Sequence, residues 1–270
     1  MYHPARGRFP LARYFSVFAL LLAACEQAPV EWRALVTVPR VAEGAVALSA
    51  DGSLGPDTMA LLATRVAVPP GPVCAGSLRL AAARGMVFGV WWAPRSDSGV
   101  RLLAARSADG GRSWSAPSAV DTTDAGVGGC RREPASIAAD SASGYVHVTY
   151  ALQATEGPGL FFSHSMDGGV TFHSPVPILY GEHLGSTSVA ADGDLVAVAF
   201  EDPNSSTPRI GLALSRTMGH IFEHRILPLS DDNDRAVHPL AAVHGRNVAV
   251  AWQQAGSDGT TLAVRAGAVR

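Results

Sequence analysis

Lysine is absent from this 270-residue chain, so all 21 basic residues are arginine. That removes lysine Schiff-base chemistry and a phosphate-cradling P-loop lysine from the candidate functions. Arginine-only usage also follows simply from GC-rich coding. Cysteine is nearly as scarce: there are three, none in CxxC spacing, which leaves a thiolate zinc site without support. Only 16% of residues are charged, and the formal net charge of −2 gives no reason to expect a nucleic-acid partner. No HExxH, serine-triad signature or glycine-rich phosphate loop occurs. No cofactor is expected. His183, His238 and Glu182, with the acidic run Asp231, Asp232 and Asp234, match no known ligand spacing, so no metal site is assigned.

What the chain does have is repetition. Ser107-Ala108-Asp109-Gly110-Gly111-Arg112-Ser113-Trp114 recurs 58 positions later as Ser165-Met166-Asp167-Gly168-Gly169-Val170-Thr171-Phe172. A worn third copy, Ser215-Arg216-Thr217-Met218-Gly219-His220-Ile221-Phe222, follows 50 positions after the second. The chemistry is that of a turn. Asp109 and Asp167 can fold their carboxylates onto nearby backbone amides, and the glycine pairs tolerate positive φ. The closing aromatic drops onto the apolar layer beneath. Thr217 is a weaker turn bonder than aspartate, so the third hairpin is expected to be looser. Ser107, Asp109, Gly111, Trp114, Ser165, Asp167, Gly169 and Phe172 are thus read as structural residues.

The repeat extends beyond the turns. Aligning Val87, Val146, Val196 and Val248 places Trp91, Tyr150, Phe200 and Trp252 at one offset, each in an alternating run that reads as strand. A short alanine-rich strand precedes each run, at 80–82, 137–139, 189–191 and 240–242, as suits a crowded centre where repeats converge. Four repeats begin near residues 73, 130, 182 and 234. Recurrence at such a period predicts an array of supersecondary units.

The turn motif resembles the Asp box, or bacterial neuraminidase repeat, of sialidases and other β-propellers. The resemblance implies an all-β propeller of four-stranded antiparallel blades, as a single domain over 31–270. The chain's length predicts five blades, with four or six open, and residues 41–72 as an abbreviated one. The last repeat lacks an outer strand, and residues 32–39 are expected to supply it and close the ring. Any ligand site belongs on the face opposite the boxes.

Arg6, Arg8 and Arg13 precede an apolar stretch from Tyr14 to Leu22 that ends in Leu22-Ala23-Ala24-Cys25. This is a secretory signal, too short to span a membrane as a helix. It is similar to the lipobox of bacterial lipoproteins. That implies cleavage after residue 24, acylation of Cys25 (palmitate included), a lipidated tether over 25–30, and attachment to the membrane. With Glu26 after the cysteine, the resemblance favours the outer membrane, with the protein facing the periplasm. An ordinary signal peptide or an N-terminal strand are the alternatives. Loss of residues 1–24 takes the formal charge from −2 to −5. Cys74 and Cys130 occupy matching places in successive repeats, and a disulfide is expected in an oxidising compartment, the alternatives being two free thiols or a metal pair.

Sialidases grip a substrate carboxylate with three arginines and use a tyrosine nucleophile assisted by glutamate. Carried over, Arg132 stands in an Arg-x-Pro sequence before its inner strand, although Arg131 and Glu133 depart from the family's pattern. Arg235 and Arg209 are the remaining arginine candidates, and Tyr180 with Glu182 the nucleophile pair. Catalysis by that set is one reading. The favoured reading is a non-catalytic, monomeric, envelope-anchored module that binds a glycan or envelope protein through Arg132, Glu133, His183, Arg235 and His238. An assembly factor for an envelope complex is the third.

Overall fold

A computed structural model describes residues 28–39, 67, 69–230, 235–256 and 259–270. The signal segment, Cys25 and most of the expected abbreviated blade at 41–72 lie outside the described residues. So does the acidic run 231–234.

Every element is a strand. Two short ones, β1 (Val30–Trp32) and β2 (Val36–Pro39), precede four groups. The first blade is β3 (Arg79–Ala83), β4 (Met86–Pro94), β5 (Val100–Ser107) and β6 (Ser118–Asp121). The second is β7 (Ser136–Ala139), β8 (Val146–Ala154), β9 (Gly157–Ser165) and β10 (Val176–Tyr180). The third is β11 (Thr187–Asp192), β12 (Leu195–Glu201), β13 (Ile210–Ser215) and β14 (His224–Pro228). The fourth holds β15 (Arg235–His244), β16 (Asn247–Gly256) and β17 (Gly259–Val269). All pairings are antiparallel between neighbours, so each group is a meander. The chain is a β-propeller of four-stranded sheets in series.

The N-terminal strands complete the fourth blade. β1 pairs the end of β17, with Val30 opposite Val269, and β2 pairs its start, with Val36 opposite Val264. The expected single outer strand is therefore split in two, with Arg33 N donating to Ala266 O at the break. The edge of β17 is covered as a result. Among the described residues no pairing joins the fourth sheet to the first, and four sheets are seen.

Alternation explains the packing. Strands β8, β12 and β13 bury nearly every residue, because a middle blade is covered on both faces. Val90, Trp92 and Leu102 of the first blade meet Val148, Tyr150 and Phe161 of the second. Phe162 meets Val198 and Phe200, and Leu212 meets Val250 and Trp252, at the next two interfaces. The recurrent aromatic always faces the preceding neighbour. Trp91 is likewise fully buried, packed with Val73, Leu78 and Trp114 of its own repeat. Two serines stitch the inner strands: Ser136 Oγ accepts from Val189 N, and Ser188 Oγ from Ala241 N, each at 3.0 Å.

The first two motif turns are superimposable in their bonding. Asp109 Oδ1 accepts the amides of Arg112 and Ser113 at 2.9 Å, and its Oδ2 takes the Ser113 hydroxyl. Asp167 does the same with Val170, Thr171 and the Thr171 hydroxyl. Ser107 and Ser165 accept from Gly111 and Gly169. Bonds to the Ser113 hydroxyl and amide hold the Asp109 carboxyl far below its ordinary range. Burial works against Asp167, yet its bonds to Thr171 and Ser165 bring it down to about 2. In the third turn Thr217 Oγ1 accepts one amide, that of Ile221. Met218 there takes φ +56°, where the other turns have Gly110 and Gly168. That hairpin is looser in bonding and strained in backbone.

Candidate functional site

All three motif turns join third to outer strands and lie at one end of the propeller. The other end carries the loops leading into each blade and those between second and third strands. There the first residues of β3, β7 and β11, with a bulge in β15, surround a central cavity of about 530 Å³.

The bulge sets His238 and Pro239 of β15 against the single residue between Ala251 and Gln253 of β16. His238 takes φ +55°, and its amide donates to Glu201 Oε1 at 3.0 Å. The same carboxylate oxygen accepts the Ser186 hydroxyl, so Glu201 pins this rim from the neighbouring blade. The disulfide between Cys74 and Cys130, with Cα atoms 5.2 Å apart, ties the segments that precede β3 and β7. The pairing expected from the sequence is formed.

The cavity wall is mixed. Leu80 and Leu240 project into it and stay 57% and 68% exposed. The alanine-rich inner strands thus frame an open centre rather than the crowded one expected. Polar groups come from Arg79, Glu133, Ser136, Thr187, Ser188 and Gln253. Arg79 donates only to the carbonyls of Gly76 and Leu78, and no carboxylate pairs with it among the described residues. Thr187 is 9% exposed and its hydroxyl has no partner.

Arg132 does not offer its guanidinium to the cavity. It threads past Gly126 and Gly128, where an added Cβ would come within 2.4 and 2.5 Å of its nitrogens. Nη2 reaches Asp124 Oδ2 at 2.9 Å, in a pair whose side chains are 10% and 1% exposed. Asp124 Oδ2 also takes the Val100 amide. The guanidinium expected to grip a ligand carboxylate is thus engaged by a carboxylate of its own chain. With Glu133, Gln153, Val127 and Leu184 it lines a neighbouring cavity of about 560 Å³. Glu133 borders both spaces.

Of the other candidates, His238 lines the central cavity. Arg235, Arg209, Tyr180, Glu182 and His183 line neither space. Tyr180 ends the peripheral strand β10, its ring edge-on to Phe161 at 5.9 Å and its carbonyl bonded to Asn204. A tyrosine nucleophile paired with Glu182 is therefore not assembled with the arginines: an outer strand points away from the axis. Arg209 is half-buried in the loop between β12 and β13, and the exposed His183 donates its amide to Pro203 O. Arg79 and Thr187 were missed. The repeat alignment held the signal for Arg79, because it stands before Leu80 where Ser136 and Ser188 stand before Ile137 and Val189.

No protein-family profile matches the chain, and no curated protein matches it. Solved structures do. A Dyadobacter fermentans protein of unknown function shares 16% identity, with TM-score 0.54, over 70% of this chain and 52% of its own. The NanB sialidase of Streptococcus pneumoniae shares 10%, with TM-score 0.50, over 75% and 52%. The Hadza microbial sialidase Hz136 shares 16%, with TM-score 0.48, over 68% and 42%. The chain thus spans about half the length of these proteins or less. At such identities the first two likenesses establish the fold, and the fold is that of propellers that include sialidases.

Proposed function

We propose that this chain is an envelope-anchored binding propeller, lipidated at Cys25, whose central cavity holds a glycan without cleaving it. The observation that carries the reading is the cavity itself. It combines the guanidinium of Arg79, which meets no carboxylate among the described residues, the polar Ser136, Ser188 and Gln253, and the apolar faces of Leu80 and Leu240. Sugars present hydroxyl edges and apolar C–H faces, and a wall of this kind meets both. An acidic sugar suits Arg79, whose planar fork pairs with carboxylate or sulfate. The likeness to the NanB sialidase supports a glycan as ligand. Against turnover stands the engagement of Arg132 with Asp124 and the peripheral place of Tyr180.

The test uses the full chain carrying Cys25→Ser, its folding confirmed by circular dichroism. It is applied to an acidic and neutral glycan array and, separately, to a fluorogenic α-sialoside. Glycan retention that disappears in Arg79→Ala, with no release of fluorophore, is the expected result. Turnover would move the protein to the reduced sialidase-like reading. No retention on any glycan would leave an envelope protein as the ligand. In cells, the unaltered chain should fractionate with membranes and the Cys25→Ser chain should not.

A further inference from the structure

At the opposite end from the cavity, the second blade meets the third turn through a cluster of imidazoles. His147 of β8 and His164 of β9 are paired across the sheet and are 0% and 5% exposed. His173 stacks on His164 at 4.7 Å, and His220 of the third turn meets it edge-on at 4.7 Å. Tyr145 stacks on its other side at 5.9 Å. Neither ring nitrogen of His147 has a hydrogen-bond partner, nor does Nε2 of His164. The donors do not converge as metal ligands, since no group of three among the described residues can hold an ion.

An imidazolium needs two acceptors, and neither ring nitrogen of His147 meets one among the described residues. The carboxylate that acts on His147 is Asp140, which is already bonded by the Ala142 and Ser143 amides and the Ser143 hydroxyl. The third turn brings the Arg216–Glu223 pair at its base, with Glu223 accepting the Arg216 amide. The turn between β11 and β12 contributes the Asp194 carbonyl, which holds the Met218 amide. Burial, with neighbouring imidazoles adding to it, depresses His147 and His164 to about 4. Two charges at these ring spacings would also repel across a poorly solvated gap.

The element that covers the cluster is the third motif turn, through His220. Gly219 lies against Phe162, where an added Cβ would come within 2.5 Å, and beside His147 Nδ1. Phe222 closes onto Phe162 at 4.9 Å. Yet this turn has Thr217 in place of aspartate and the strained Met218.

We propose that residues 215–222 form a proton-operated latch: the turn closes over neutral imidazoles and lifts when they take up protons, uncovering Phe162 and Phe222. This device sits on the face away from the cavity and does not depend on the ligand read there. Lifting gives the charged rings water, and Thr217 holds this turn by one amide where Asp109 and Asp167 each hold two.

Amide hydrogen exchange on the full chain, corrected for intrinsic rates, tests this at pH 7 and pH 5. Protection at Gly219 and Ile221 should fall about twentyfold for each histidine protonated on opening, and should stay below that of the β5 amides at both pH values. In His147→Phe/His164→Phe the fall should vanish. Protection at Gly219 and Ile221 that ignores pH, or that equals β5 protection at both pH values, overturns the latch. Imidazole NMR titration of the unaltered chain decides independently of that variant: His147 and His164 titrating near 4 support it, and values near 6.5 overturn it.

Discussion

Thr217 stands where two other turns carry aspartate, and the cost can be read bond by bond. Asp109 and Asp167 each accept two amides and a hydroxyl, while Thr217 accepts one amide. Thr217→Asp should recover roughly 0.5–1 kcal/mol at this exposed position. Met218→Gly should relieve about 1 kcal/mol of left-handed strain, offset in part by a freer unfolded chain. Together they should raise Tm by about 2–5 °C in calorimetry at pH 7.5. An unchanged or lower Tm would count against the turn as described. Arg132 behaves differently because it is buried. Arg132→Ala leaves Asp124 uncompensated at 1% side-chain exposure, and about 3–5 kcal/mol of stability should be lost in urea unfolding. Arg132→Ala/Asp124→Asn should lose clearly less. If the two variants lose the same amount, the ion pair is not what fixes the loop.

These two residues mark how far the sequence can be read. The turn chemistry was legible because all its partners lie within five residues, so Ser-x-Asp-Gly-Gly carries its own geometry. Arg132 was legible as a motif, but its ion pair was not. Its partner, Asp124, lies eight residues back in an irregular loop, and nothing in the linear pattern shows that the loop folds onto it. Arg79 was hidden for the opposite reason. It opens a strand, where an exposed arginine is unremarkable until the three other inner strands are set around it.

At the level of elements, the order inner strand, second strand, third strand, turn, outer strand was written in the alternation and in the recurrent aromatic. Period-two patterning fixes which face each side chain takes, so the buried Tyr150, Phe200 and Trp252 followed. The break between β1 and β2 did not, because residues 33–35 are no less strand-like than their neighbours and only the path of β17 interrupts them. The disulfide joins two elements that local patterning alone does not hold together. It closes a 56-residue separation between the leads into β3 and β7. By chain entropy such a crosslink contributes about 4 kcal/mol, as an upper figure. Cys74→Ser/Cys130→Ser should therefore lower the urea midpoint with little change in slope, and the native spectrum should persist in the absence of denaturant. A chain that loses its near-ultraviolet signal without denaturant would show that the bond also fixes the rim, and a midpoint that stays put would show that it does neither.

For the whole molecule, a series of sheets that touch only their neighbours makes acid response a sum over interfaces, and two separate windows follow. His147 and His164 sit depressed to about 4 in the folded chain against 6.5 in the unfolded one. Between those values the unfolded state binds more protons. Their contribution is therefore complete above about pH 6.5 and is lost progressively as pH falls toward 4. The His147 shift corresponds to about 3 kcal/mol if taken alone, and the less enclosed His164 to less. The two rings, tilted and 6.3 Å apart, titrate as a coupled pair, so the total is less than the simple sum. The carboxylates act later. Asp109, Asp140 and Asp167 are all lowered from 3.8, so what their turns contribute is complete above that value and disappears only below it. Tm measured from pH 8 to pH 2.5 should hold steady above pH 6.5, decline to pH 4, and fall again below about pH 3.5. His147→Phe/His164→Phe should flatten the first decline and leave the second, while Asp167→Asn should lower the plateau and soften the second alone. A single decline centred near pH 4 in the unaltered chain would mean that the imidazoles are solvated, and the interface between the second and third blades would then need a different account.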